Sequence, residues 1–270
     1  MSVVNPTELL QIARSLAVEA GDLVAAGRSS GTIASESKST ITDMVTEFDR
    51  AAESLIVGRL RTLRPDDGII GEEGTDTEGR SGIRWLIDPI DGTTNYLYDL
   101  PGYAVSIAAA DEQGAVVGAV YVPTLRELYS AQRGCGAMLN DMPISCGGTS
   151  DPATALVATG FSYHPERRAV QARRVARMIH AVRDIRRLGA ASVDLCFVAA
   201  GRLDAYFEEG LGPWDLAAGE LIAREAGCRT GDFSGGPARP GEVLVANPLL
   251  FGAMLGLIRA ASATPTVANA

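Results

Sequence analysis

The sequence contains few of the side chains from which zinc and redox sites are usually built. There are two histidines, His164 and His180, with no HExxH motif and no pair at i, i+4, which argues against a histidine-based zinc site. The four cysteines are scattered and form no CxxC pair, so we expect reduced, mostly buried thiols in a reducing compartment. If a metal is bound, its ligands should therefore be carboxylates.

Long apolar stretches and an excess of positive charge are also missing. The most apolar segment, Val243 to Ile258, is interrupted by Asn247-Pro248 and is too short to span a bilayer. The N-terminus lacks the basic region followed by an apolar stretch that marks a signal peptide. With 24 Lys and Arg against 33 Asp and Glu, the net charge is −9, which argues against binding to nucleic acids or membrane surfaces. We therefore expect a soluble, cytoplasmic protein.

The composition of the 270-residue chain, 46% hydrophobic and 21% charged, is that of a globular protein. Helical periodicity from about Thr46 to Leu63 gives way, from Tyr103 to Leu139, to short strands and turns that predict an antiparallel meander. The Gly-, Ser- and Pro-containing segment Cys146 to Pro152 is the best boundary, and after it strands and helices alternate. We predict an N-terminal α+β part, 1–147, and a C-terminal α/β part, 148–270, in one compact unit.

Local patterns predict further elements. The polar, Ser- and Gly-rich segment Gly27 to Lys38 favours a loop. Pro165 to Val182 is predicted to be one helix. Ser192 to Ala200 and Trp214 to Ala226 are also predicted to be helices.

The segment from Trp85 to Tyr96 carries the strongest chemical signal. An apolar strand delivers Asp88 at its end, Pro89 is expected to fix a turn, and Asp91 follows three residues after Asp88. Two carboxylates at this spacing can share a hard cation, and the Gly-Thr pair that follows resembles the start of a helix, where phosphate binds well. An isolated DPxD is more often a turn in which the second acid only caps the helix.

Two further acidic segments favour a catalytic site over such a turn. Gly71 to Gly74 (GEEG) follows an apolar pair, and Trp214 to Gly219 places an acid at the N-terminus of a small-residue helix. Together with Trp85 to Tyr96 they resemble the inositol monophosphatase family of magnesium-dependent, lithium-sensitive sugar phosphatases. Both family signatures are complete, and the resemblance runs in order from about Lys38 to Gly227. It implies a layered αβαβα sugar-phosphatase fold, of class α+β/α/β, whose N-terminal part contains the antiparallel sheet.

The resemblance implies two to three Mg²⁺ ions. Glu72, Asp88 and the backbone carbonyl of Ile90 correspond to the ligands of the first ion. Asp88, Asp91 and Asp215 correspond to those of the second, and Glu72 to the single protein ligand of a third, water-rich site. One such ion lowers the pKa of a bound water and another stabilises the leaving alkoxide. The implied reaction is therefore hydrolysis of a phosphate monoester by metal-activated water.

The resemblance also assigns residues to the phosphate and to the attacking water. Gly92 and Thr93 correspond to the amides that bind phosphate. The Thr93 hydroxyl, together with Glu72, would orient the water. Asp49 matches the acid that hydrogen-bonds this threonine, which makes Glu72, Thr93 and Asp49 the implied catalytic residues.

For the alcohol part of the substrate, Glu208 matches the residue that grips hydroxyl groups, Ala191 a backbone contact, and Asp91 a second contact to a sugar hydroxyl. Thr94 favours inositol 1-phosphate as the substrate, because related histidinol-phosphate phosphatases often have lysine there. Histidinol-phosphate, fructose 1,6-bisphosphate and 3′-phosphoadenosine 5′-phosphate phosphatase activities are alternatives within the family. The family further implies a homodimer.

A non-catalytic function is the alternative of a different class, since some bacterial relatives resemble this chain and act as RNA-polymerase-associated factors. Three arginine pairs, at 167–168, 173–174 and 186–187, are the only feature in its favour, and a solvated helix face explains them better. Among other residues near the motifs, we expect Trp214 in the core, Asp66-Asp67 in a solvated turn and His164 at the surface.

Overall fold

A computed structural model describes residues 5–263 of the chain, apart from residues 30, 32 and 41. This part of the chain folds into alternating layers of helices and sheets, as predicted. The α-helices are α1 Pro6–Ser29, α2 Glu47–Leu63, α3 Thr93–Leu97, α4 Pro165–Met178, α5 Ala191–Ala199, α6 Pro213–Glu225 and α7 Pro248–Ser262. The β-strands are β1 Ser35–Ser37, β2 Met44–Thr46, β3 Gly68–Gly71, β4 Asp76–Thr77, β5 Arg84–Asp91, β6 Ala104–Asp111, β7 Gly114–Val122, β8 Glu127–Gln132, β9 Ala137–Leu139, β10 Met142–Ile144, β11 Leu156–Thr159, β12 Asp184–Arg186, β13 Ala205–Glu208, β14 Arg229–Gly231 and β15 Val243–Ala246.

The large sheet has eight strands in the order β10-β9-β8-β7-β6-β5-β3-β4. Its strands β6 to β9 form the predicted antiparallel meander, which β5 and β10 extend at its two ends, while β3 and β5 run parallel. Helices α1 and α2 cover one face of this sheet. Helix α1 begins where Asn5 accepts a hydrogen bond from the Thr7 amide at 3.2 Å, and it buries Leu9, Ala13 and Leu16 because apolar residues recur at helical spacing.

Helices α5 and α6 form the middle layer and pack on the other face of the large sheet. Small residues let α6 approach closely: a Cβ on Gly118 of β7 would lie 2.9 Å from the Cα of Ala218. No side chain fits at Gly118 without moving the helix. The close contact fixes the position of α6, and therefore of Asp215 in its first turn.

The small sheet has five strands in the order β12-β11-β13-β15-β14. It lies between the middle layer and the outer helices α4 and α7. Its strands all begin at Leu156 or later, whereas the large sheet ends at Ile144. The division into two parts after residue 147 stays a prediction.

Several short segments differ from the sequence-based expectations. Helix α1 extends to Ser29, into the predicted loop, and β1 of the same segment pairs with β2. The helix predicted from Pro165 to Val182 ends at Met178 and is followed by a 3₁₀ turn. Strands β2, β4, β10, β12 and β14, of two or three residues each, were not predicted, because so few residues rarely show an alternating pattern. None of the described helices is both long and apolar enough to cross a membrane.

Candidate functional site

A cavity of about 270 Å³ opens between the middle helices and the connections of both sheets. It is lined by every predicted site residue except Asp49, which is buried behind it. The chain therefore brings together residues that the sequence spreads over more than 160 positions, from Asp49 to Asp215. We call the four acids predicted to bind metal the candidate ligands: Glu72, Asp88, Asp91 and Asp215.

Strand β5 positions two of the candidate ligands. The sequence predicted that Pro89 fixes a turn, and this was wrong. Pro89 lies within β5, which continues to Asp91. The register with β6 shifts between Asp88 and Asp91, and such an irregularity tolerates a proline that cannot donate to the ladder. Gly92 then adopts a left-handed conformation with φ of 92° and caps α3. The irregular strand end turns both acids toward the cavity.

Asp91 is held by the start of α5. Its carboxylate accepts hydrogen bonds from the Ser192 amide and hydroxyl, both at 2.6 Å, and from the Ala191 amide at 3.2 Å. Burial raises the pKa of Asp91 to about 6, although the hydrogen bonds from Ser192 oppose this shift. The Ala191 amide, in the segment predicted to contact substrate, thus contacts Asp91. The supporting role of Ser192 was missed by the sequence analysis.

Thr93 and Asp49 form the predicted hydrogen bond. The Thr93 hydroxyl lies 3.2 Å from Asp49 Oδ1 and 2.9 Å from the Ile90 carbonyl oxygen. Asp49 is fixed because it is the third residue of α2 and closes a capping box with Thr46, whose amide donates to Asp49 Oδ2 at 2.7 Å. Burial raises the pKa of Asp49 to about 6. The Thr93 hydroxyl is therefore oriented by two acceptors, the Asp49 carboxylate and the Ile90 carbonyl oxygen.

Glu72 lies in the turn between β3 and β4, next to the only lysine in the sequence. Lys38 Nζ lies 2.9 Å from Glu72 Oε1 and also pairs with Glu73. Although burial opposes its charge, the two carboxylates raise the pKa of Lys38. Glu53 of α2 holds the turn by accepting hydrogen bonds from the Glu73 amide at 2.8 Å and the Thr75 amide at 3.1 Å. Glu53 was missed by the sequence analysis.

Asp215 is the third residue of α6 and accepts a hydrogen bond from the Gly212 amide at 2.7 Å. Burial, followed by the negative charges of Asp91 and Glu72, raises the pKa of Asp215 well above its ordinary range. Burial and the carboxylates of Glu72, Asp91 and Asp215 do the same for Asp88. This end of the cavity thus concentrates negative charge that the chain itself compensates only in part.

The candidate ligands suit a hard cation such as Mg²⁺ in their chemistry, since all their donors are carboxylate oxygens and their mutual repulsion would fall on binding. Among the described residues, however, no three acidic, histidine or cysteine side chains are already arranged around one point. The carboxylates are instead engaged with the chain, as in the pairing of Lys38 with Glu72 and of Ser192 with Asp91. Their donor chemistry and charge fit a metal, and binding would require these side chains to turn.

A second group of residues lines the cavity from the side of the small sheet, and we call it the α5–β13 wall: Gly160, Arg187, Asp194 and Glu208. Glu208 Oε2 accepts a hydrogen bond from the Tyr206 hydroxyl at 2.6 Å, and burial raises the pKa of Glu208 to about 7. A Cβ on Gly160 would lie 1.9 Å from the same carboxylate. Only Glu208 of this wall was predicted; Asp194 could have been noticed as the only charged residue of α5.

Three side chains, those of Trp214, Asp67 and Arg174, and two of the cysteines differ from the expectations. Trp214 is only partly buried, so it is not a core residue. Asp67 is not solvated: it is buried and accepts a hydrogen bond from the Trp85 indole at 2.9 Å. Arg174 is buried in an ion pair with Glu209, so the arginine pairs do not all lie on a solvated helix face. Two of the four cysteines, Cys196 and Cys228, are buried.

His164 is exposed, as expected, and it also lines the cavity.

Comparison with known proteins matches nearly the whole chain. A model of the inositol monophosphatase family matches residues 5–264. An inositol-1-monophosphatase of Mycobacterium leprae is 41% identical over 279 aligned positions, which cover 94% of each chain. A protein named Nus factor SuhB, from Pasteurella multocida, is 40% identical over 94% of this chain and 96% of its own. The crystal structure of the extragenic suppressor protein suhB from Bartonella henselae superposes with a TM-score of 0.88 at 33% identity, covering 94% of this chain and 98% of that one.

Proposed function

The chain belongs to the inositol monophosphatase family and is thus a phosphoric monoester hydrolase; we propose that it hydrolyses inositol 1-phosphate to inositol and phosphate in a Mg²⁺-dependent reaction. The observation that supports this proposal most strongly is the single cavity lined by Glu72, Asp88, Thr93, Asp215 and Glu208. It combines a strongly acidic end, suited to a cation, with polar groups suited to a phosphate and a polyol.

Magnesium fits the candidate ligands and, when bound, would supply a water of lowered pKa and stabilise the leaving alkoxide. We propose that Glu72, Asp88, Asp91 and Asp215 hold it, with the backbone carbonyl of Ile90 as a further ligand. With the metal bound, the negative charges of these acids would be neutralised, so that a phosphate dianion could approach them. Without it, their charge would repel the substrate.

The chain's own residues would position the reacting groups. We propose that the amides of Gly92 and Thr93 bind the phosphate oxygens. The Thr93 hydroxyl donates a hydrogen bond to Asp49. Its oxygen would accept a hydrogen bond from the attacking water and so orient the water together with Glu72. Such positioning is most of what phosphoryl transfer requires of a protein.

The alcohol part of the substrate would lie against the α5–β13 wall. We propose that Glu208 accepts hydrogen bonds from the polyol hydroxyls, because its Oε1 is not used by Tyr206. Asp91 and the backbone at Ala191 would add contacts on the same side. Thr94 lies at the edge of a neighbouring hollow, where histidinol-phosphate phosphatases often have lysine, and this supports inositol 1-phosphate over histidinol phosphate.

A side-by-side assay of phosphate release tests the substrate. We expect purified protein with Mg²⁺ to prefer inositol 1-phosphate to histidinol phosphate, fructose 1,6-bisphosphate and 3′-phosphoadenosine 5′-phosphate. Asp88→Asn should lower kcat on the order of 1000-fold, since a metal site contributes several kcal/mol. A preference of about 10-fold for histidinol phosphate, or about 1.4 kcal/mol, would contradict the inference from Thr94. Undiminished turnover in Asp88→Asn would contradict the metal assignment.

A second candidate function is the regulatory one, which the identity of about 40% with proteins named Nus factor SuhB favours. The surface that would bind RNA polymerase would include the exposed arginines of α4, Arg167, Arg168 and Arg173. The two functions are separable: Asp88→Asn should leave binding to RNA polymerase intact, while Arg168→Glu/Arg173→Glu should abolish it and leave turnover unchanged. Absence of binding by the wild-type protein would rule this candidate out. We also propose a homodimer, to be tested by light scattering.

A further inference from the structure

Asp194 is a buried acid at the substrate side of the cavity that the proposed mechanism does not use. Its exposure is 1%, and it lines the cavity from the first turn of α5. Its Oδ1 has no hydrogen-bond partner among the described residues. A buried polar atom without a partner costs folding free energy, so a native protein that keeps one is expected to use it.

The surroundings of Asp194 indicate the partner it could take. Burial, and then the negative charges of Glu208 and Asp91, raise the pKa of Asp194 well above its ordinary range, while Arg187 opposes them. Burial thus favours the neutral form of the carboxyl group, which has both a donor and an acceptor. A hydroxyl group has the same two capacities, so the two match each other.

Other partners fit this position less well. A metal ion would require an ionised carboxylate and would be repelled by the neighbouring Arg187 guanidinium. An ammonium group would be repelled by the Arg187 guanidinium, which acts on both acids of the α5–β13 wall. A neutral polyol avoids both costs.

From this geometry, and resting on the proposed function, we propose that Asp194 is a specificity-determining residue whose carboxyl group hydrogen-bonds a second hydroxyl of the polyol, beside the hydroxyl bound by Glu208. Asp194 and Glu208, which lie on the same wall, would then each hydrogen-bond one hydroxyl group of the inositol ring. Phosphate esters whose alcohol part lacks hydroxyls would gain nothing from Asp194.

The inference predicts opposite effects on substrate selectivity and on stability. With myo-inositol 1-phosphate, Asp194→Ala should lower kcat/KM about 10- to 100-fold, because a group built to pair with a hydroxyl is lost. With p-nitrophenyl phosphate, whose alcohol part carries no hydroxyl, kcat/KM should change less than about 3-fold. Asp194→Asn, which retains a donor and an acceptor, should keep most of the activity on inositol 1-phosphate. Asp194→Ala should melt at or above the wild-type temperature, since the unpartnered acid is removed.

Cys196→Ala is the matched control, since Cys196 is buried on the same helix and does not line the cavity. It should lower the melting temperature and leave the ratio of the two kcat/KM values unchanged. Equal losses on both esters in Asp194→Ala, no loss on inositol 1-phosphate, or a lower melting temperature would each overturn the inference. Wild-type protein inactive on both esters would overturn the proposed function as well, whereas activity on p-nitrophenyl phosphate alone would overturn the polyol assignments only.

Discussion

The two sides of the cavity bury acids in different ways. Among the candidate ligands, Glu72 pairs with Lys38, and Asp91 accepts hydrogen bonds from Ser192. On the α5–β13 wall, within the part of the chain that the structure describes, Asp194 keeps an oxygen without a partner, and Glu208 accepts a hydrogen bond from Tyr206 alone. The first side concentrates charge and suits ions. The second side presents hydrogen-bonding capacity and suits neutral hydroxyl groups.

The comparison predicts that equivalent changes on the two sides affect different kinetic constants. Asp215→Asn should lower kcat on the order of 1000-fold, because it removes charge that stabilises the transition state. Glu208→Gln should mainly raise KM for inositol 1-phosphate, about 10-fold, because it weakens a hydrogen bond to the substrate. Steady-state kinetics at saturating Mg²⁺ measure both. A loss confined to kcat in Glu208→Gln would remove the distinction between the two sides.

Gly160→Ala should displace the Glu208 carboxylate on the second side of the cavity without replacing an acidic residue. The added Cβ would lie 1.9 Å from the Glu208 carboxylate, and Glu208 cannot move away without losing Tyr206. We expect kcat/KM for inositol 1-phosphate to fall about 10- to 100-fold, as for a lost substrate contact.

Gly58→Ala is the matched control for Gly160→Ala. Gly58 lies inside α2 and has nothing within 4 Å of an added Cβ. Alanine there should raise the free energy of unfolding by about 0.5–1 kcal/mol and leave kinetics unchanged. If both variants had the same kinetics, the close packing of Gly160 against Glu208 would have no functional role.

The first side of the cavity could be predicted from the sequence because its residues lie in short, continuous motifs. Asp88 and Asp91 are separated by three positions, and Asp215 follows a tryptophan at a helix start. The αβαβα layering followed from the same resemblance and is confirmed. Pro89 was misplaced because its irregular strand end depends on the register with β6, which no local pattern encodes.

Apart from Glu208, the second side could not be predicted, because its residues act through contacts between distant segments. Gly160 and Glu208 are 48 positions apart, and Asp194 is buried by the packing of α5 against both sheets. The same reason explains why Glu53 was missed, since it holds the Glu72 turn from α2. Asp67 was expected in solvent because its partner, the Trp85 indole, lies 18 residues away.

Glu53→Gln should loosen the turn that carries Glu72. The substitution weakens three hydrogen bonds, from the Glu73 amide and from the amide and hydroxyl of Thr75, and should cost about 1–3 kcal/mol of unfolding free energy. We expect a several-fold higher Mg²⁺ concentration for half-maximal activity. Glu19→Gln, which removes an exposed ion pair with Arg59, should cost less than about 1 kcal/mol and leave the Mg²⁺ requirement unchanged. An unaltered Mg²⁺ requirement in Glu53→Gln would show that the turn is held by other contacts.

An effect on stability alone is expected from Glu208, whose ionisation should make the unfolding free energy depend on pH. Because burial raises its pKa in the folded protein to about 7, above the ordinary value near 4.3, the folded state binds a proton that the unfolded state has released between these two values. The contribution of Glu208 to the free energy of unfolding is therefore fully present below about pH 4 and is lost as the pH rises toward 7. Urea unfolding of metal-free protein at pH 5 and pH 8 should show a fall that is smaller in Glu208→Gln by about 1–3 kcal/mol. Equal falls in the two proteins would mean that Glu208 ionises as readily in the cavity as in water, and the α5–β13 wall would then carry charge as the candidate ligands do.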